Sequence, residues 1–161
     1  ILLAESVPIT DLKRVLELLS NINISKMSIV EIAEIIRPAL VGLLIQKICP
    51  INKELAVITL SPEMEQIIIN ALKEKNTTGI SLDPTFTKNM LKAIAQAYET
   101  ASSKGDNCIL LTSPIIRKDL SNLIRQNIED LHVLAFTELP ETRRIKIIAT
   151  IENKLKEENN K

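Results

Sequence analysis

Between Leu12 and Leu44 apolar residues return every three or four positions, whereas from Leu55 onward they gather into short runs separated by amphipathic stretches. The first pattern predicts helices and the second predicts buried strands alternating with helices. Thr10-Asp11 supplies a cap and a first-turn acid for a helix carrying Leu12, Val15, Leu16 and Leu19. A second helix opens at Ser28, with Glu31 in the capping-box position. Its apolar stripe runs through Ile32, Ile35, Ile36, Ala39, Leu40, Leu43 and Leu44. Pro38 lies inside that stripe, and a kink or break is expected there, because proline lacks the backbone donor and clashes one turn back.

"LAVITL" at 55–60, "CILLT" at 108–112, "LHVLAF" at 131–136 and "IKIIATI" at 145–151 read as strands by length and β-branched content. Helical faces lie between them: Met64, Ile67, Ile68, Ala71 and Leu72, then Phe86, Met90, Leu91, Ile94 and Ala97, then Leu120, Leu123 and Ile124. The fold class expected is α+β. A helical subdomain at 1–54 precedes a small α/β subdomain at 55–151, with a mixed sheet of about four strands flanked by helices. The polar stretch "KNTTGISL" joins two of the helices, and residues 152–161 form a polar tail.

Three of the helices share one opening. Ser61-Pro62, Asp83-Pro84 and Ser113-Pro114 each place an oxygen-bearing side chain before a proline. The oxygen suits the unpaired amides of a first helical turn, and proline at the next position gives up no hydrogen bond. Ser61, Asp83 and Ser113 are therefore expected to be helix caps. A nucleophilic Ser113 would need a base, and the chain's one histidine, His132, is turned to the opposite strand face from Leu131 and Val133. No G-x-S-x-G elbow surrounds it. The alternative reading, a small enzyme or anion-binding domain, would use Ser113, Arg117 and the helix amino terminus. None of the three glycines (Gly42, Gly79, Gly105) opens a helix, so no glycine-rich phosphate loop supports it, and Arg117 reads as a solvated surface charge.

Composition narrows the function further. Aromatic residues make up 2% of the 161, so the core must be aliphatic and platforms for stacking bases are scarce. Twenty basic residues balance twenty acidic ones, which leaves no electrostatic footprint for nucleic acid. Cys49 and Cys108 lie far apart in apolar settings, unlike a disulfide framework or a zinc site. No apolar run reaches the roughly 20 residues that span a bilayer. The opening "ILLAESVPI", without methionine, leads to the expectation of an upstream part. Glu63 and Glu65 cannot share a helix face; Glu138 and Glu141 flank Pro140 and suggest a contact patch. With no catalytic constellation, no cofactor and no metal site in view, a binding or assembly module is expected rather than an enzyme.

"LLAESVPITDLKRVLELL", "LAVITLSPEMEQII", "ILLTSPIIRKDLSNLI" and "LHVLAFTELPETRRIKIIATI" follow one another in this order, and together they resemble the cytoplasmic carboxyl-terminal region of the FlhA (FHIPEP) family, the export-gate proteins of flagellar and virulence type III secretion systems. The resemblance runs from about Leu2 to Ile151 and implies the last two of four cytoplasmic subdomains. It implies a ring of identical subunits that receives export substrates and their chaperones, or other export-apparatus proteins. It also implies attachment to the cytoplasmic face of the bacterial inner membrane through an amino-terminal domain outside this chain. Within "IRPALVG", Arg37 keeps the family register, Pro38 intrudes, and Gly42 stands where a second arginine is usual. Arg37, Leu43, Leu44, Glu138 and Glu141 are the residues expected at subunit or partner contacts.

Overall fold

A computed structural model describes residues 1–73 and 82–153. Most of the polar connection after Lys73 and most of the expected tail lie outside the described residues. Among the described residues five α-helices and four strands follow one another as α1 (Leu12–Ser20), α2 (Ile29–Ile48), β1 (Leu55–Leu60), α3 (Pro62–Lys73), α4 (Pro84–Ser103), β2 (Cys108–Thr112), α5 (Pro114–Arg125), β3 (His132–Ala135) and β4 (Ile145–Ile151). Short 3-10 turns occupy Leu2–Glu5, Ile24–Lys26 and Phe136–Glu138. The class is α+β, helical at first and α/β thereafter.

The sheet has the order β3-β2-β1-β4, and every pairing in it is parallel. The expectation of a mixed sheet is therefore corrected. A parallel return usually needs a dozen residues or more and a helix, and the link 136–144 between β3 and β4 is shorter than that. Here the link carries only a 3-10 turn, yet it leads from one edge of the sheet to the other. Leu139 packs on the core along the way, and Arg143 Nη2 donates to the Cys49 carbonyl at 2.8 Å.

Both sheet faces are covered, which is why "CILLT" is a continuous apolar run, buried at every position. On one face Ala56, Ile58, Leu60, Cys108, Leu110, Val133 and Ile151 meet α3, α4 and α5. On the other, Leu55, Val57, Ile109, Leu111 and Leu134 meet Ile36, Leu40, Val41, Leu44 and Ile45 of α2. The helical region thus supplies one wall of the sheet's core, and Pro38, exposed on the far side of α2, does not interrupt that helix.

The capping box is formed: Glu31 N–H donates to Ser28 Oγ at 3.2 Å, and Ser28 N–H to Glu31 Oε2 at 2.7 Å. The Ser28 N–H, and then the Ser28 hydroxyl donating to the same oxygen at 2.8 Å, hold the exposed Glu31 carboxyl below its ordinary pKa.

Candidate functional site

Sequence reasoning passed over the most concentrated chemistry in the molecule. Two guanidiniums and three carboxylates meet where the amino-terminal turn, α2, α5 and the turn after β3 converge. Arg37 and Arg117 are each 2% exposed. Arg117 Nη1 donates to Glu5 Oε2 at 2.7 Å, and its Nη2 reaches both oxygens of Glu34. The same Glu5 oxygen lies 2.9 Å from Arg37 Nη1. Arg37 Nε lies 2.6 Å from Glu138 Oε1, and its Nη2 donates to the Val133 carbonyl at 3.3 Å. The second Glu138 oxygen accepts from Ala135 N–H at 2.7 Å. Each charge has a partner, as burial at this depth requires. Burial alone lowers the Arg117 pKa, but Glu5 and then Glu34 outweigh it and hold the group above its ordinary value.

This geometry corrects several expectations. Arg37, Leu44 (1% exposed) and Glu138 face inward and cannot make surface contacts in this fold, and Arg117 is not a solvated charge. Leu43, 45% exposed, and Glu141 lie on the surface. The inward turn of Arg37 follows from helical spacing: Arg37 falls between Ile36 and Leu40 on the buried face, and Glu34 lies one turn earlier. A charge inside an apolar stripe, with an acid three residues before it, was the signal available in the sequence.

The three serine and aspartate positions divide. Met64 N–H donates to Ser61 Oγ at 3.3 Å, and Phe86 N–H to Asp83 Oδ1 at 2.9 Å. Ser113 does not cap its helix: its hydroxyl is buried with no partner among the described residues. Glu65, from the first turn of α3, binds the two residues just before the helix instead. Its Oε1 accepts from Ser113 N–H at 2.9 Å and from the Thr112 hydroxyl at 2.8 Å. The amino terminus of α5 thus already holds a carboxylate, which disfavours a phosphate site there.

A Ser113–His132 pair is excluded by register. His132 lies opposite Ile109 at the start of the ladder, so Ser113 is four strand residues further on, about 13 Å away. Burial lowers the His132 pKa; the neighbouring charges of Asp130 (raising), Arg37 and Lys47 (both lowering) leave that direction unchanged. Burial, then the Asp106 charge, pushes the Cys108 thiol up to about 11, far from the range of a reactive thiolate. Among the described residues no group of three or more potential ligands could hold a metal, and no helix is long and apolar enough to cross a membrane.

Fold and site together define a packing module: a parallel sheet walled by helices on both faces and bound at one corner by a buried ionic cluster. The chain belongs to the FHIPEP family, whose profile matches residues 1–144. It is 32% identical over 146 residues to the flagellar biosynthesis protein FlhA of Buchnera aphidicola from Acyrthosiphon pisum, covering 91% of this chain and 20% of that protein. To FlhA of Salmonella typhimurium it is 31% identical over 153 residues, covering 95% and 22%. It therefore spans about a fifth of the length of these relatives. Among solved structures it resembles the Chlamydia pneumoniae CdsV protein in complex with CdsO (TM-score 0.78, 26% identity, 92% of this chain and 43% of that one). It shares its fold with the nonameric SctV-C of EPEC (TM-score 0.79, 20% identity, 93% and 45%).

Proposed function

We propose that this chain is a non-enzymatic module of a type III protein export gate, corresponding to the last two subdomains of the cytoplasmic part. In this reading residues 1–54 are the helical subdomain, which makes much of the contact between subunits, and residues 55–151 are the α/β subdomain. The module helps to build a ring of identical subunits at the cytoplasmic face of the bacterial inner membrane. That ring docks export substrates, their chaperones or other export-apparatus proteins. The observation that carries the reading is the family match across residues 1–144. Two structural features support it. Leu12 and Leu16 on α1, and Ile35 and Leu43 on α2, are exposed apolar side chains outside the core. CdsV, at 26% identity, is itself described in complex with a second protein.

The test is Ile35→Asp with Leu43→Asp in the full-length protein, with ring assembly and export measured in cells. Both side chains lie outside the core, so folding should survive while assembly and export fall. Assembly and export at wild-type level would overturn the reading.

A further inference from the structure

We infer that the outer edge of β4 is a docking site for an extended, acidic peptide segment that joins the sheet as a fifth strand. β4 is a terminal strand of the sheet. Two bonds fix the phase of its ladder: Leu55 N–H donates to the Arg144 carbonyl at 3.0 Å, and Ser61 N–H to the Ile151 carbonyl at 2.8 Å. Alternation from these two points, with the register shift at Val57/Ile58 taken into account, turns the backbone amides of Ile145, Ile147 and Thr150 away from β1. Among the described residues no strand pairs with that side.

Both faces of the edge are shaped to receive side chains. On the α2 side Ile145 and Ile147, in register with Leu55 and Val57, are 44% and 58% exposed, because α2 does not cover them. On the other side a cleft of about 500 Å³ separates β4 from α4, floored by small residues such as Ala97 and Ala101. Gln96 also lines a second depression of about 570 Å³ that continues toward the carboxyl end of the strand. An added strand would therefore lay alternate apolar side chains beside Ile145 and Ile147. Its other side chains would enter the α4 cleft.

Charge selects the occupant. Arg144, just before the strand, and Lys146 on it are exposed; Lys104 lines the first cleft with Asp106, and Lys92 the second with Glu152, so basic residues outnumber acidic ones among the described residues there. A bulge and a lysine are features by which edge strands avoid indiscriminate pairing. Here they leave three outward amides available to a strand that brings carboxylates. Backbone bonds supply the affinity and the alternating pockets the choice of sequence.

The probes are two capped decapeptides, one alternating valine and glutamate, the other valine and lysine, titrated into the isotope-labelled 161-residue chain. The glutamate peptide should shift the amide resonances of Ile145, Ile147 and Thr150 and bind at least about ten-fold more tightly than the lysine peptide at low salt. Ile147→Pro removes one outward donor without touching the β1 ladder, so it should abolish binding at an unchanged thermal midpoint. Lys146→Glu should abolish the preference between the peptides, because it leaves basic and acidic residues equal in number at the edge, and it decides alone if the proline variant proves unstable. Equal binding of both peptides, no binding of either, binding that survives Ile147→Pro, or self-association of the chain through this edge would each overturn the proposal.

Discussion

Ser61 and Ser113 stand before prolines in the same way, yet their hydroxyls do opposite things. Ser61 satisfies an amide of its own helix, so Ser61→Ala should cost about 1 kcal/mol in urea unfolding. The Ser113 hydroxyl is buried without a partner, and Ser113→Ala removes that burden; stability should be unchanged or rise by up to about 1 kcal/mol. Glu65→Ala should be the costly change at that helix, because it strips the Thr112 hydroxyl and the Ser113 amide together. In the ionic cluster, Arg117→Leu leaves Glu34, partly exposed, unpaired and leaves Glu5 with Arg37 alone, and should cost about 1–3 kcal/mol. His132 adds a pH dependence of known sign. Its folded pKa is below the ordinary 6.5, so the unfolded chain binds the proton more readily, and stability is lost as pH falls below about 6.5. Thermal midpoints of the chain and of His132→Gln, compared from pH 7.5 to 5, should diverge at the acid end, with the variant falling less.

At the scale of elements, α2 shows how periodicity can be read correctly and still mislead. Its cap, its extent and most of its apolar face were legible in the spacing. The side that each of Arg37, Leu43 and Leu44 presents was not, because α2 is apolar nearly all round and the stripe does not say which flank meets the sheet. Pro38 was expected to kink or break the helix. It falls instead on the exposed side, and the helix carries on through it. Gly42 has open space where a Cβ would stand and lies in the helix interior. Gly42→Ala should therefore stabilise by about 0.5–1 kcal/mol, raising the thermal midpoint by about 1–4 °C.

For the whole molecule, the sequence made the strands and their alternation with helices legible, because each strand is a compact β-branched run between turn signals. The direction of β4 was hidden, since nothing local records where a short irregular link will lead. The ionic cluster was hidden for a related reason: its five residues come from four separated segments, and only the folded chain brings them together. It ties the amino-terminal turn to the turn after β3, so Glu5→Gln should loosen residues 1–7 before the sheet melts. Amide exchange at Val7, whose N–H bonds the Leu2 carbonyl at 3.1 Å, should accelerate well before that of Ile109.

Among the described strands of this sheet, the first in sequence is flanked by the second and the fourth. During translation the β1 backbone therefore waits with one side bare until residues 145–151 have left the ribosome. So long a separation between partners slows folding and gives a nascent chain time for wrong pairings. A chain ended at 144 would keep that flank open permanently and should aggregate rather than melt cooperatively. Because the fourth of the sheet's described strands closes it, completion of the sheet reports that synthesis has passed residue 151.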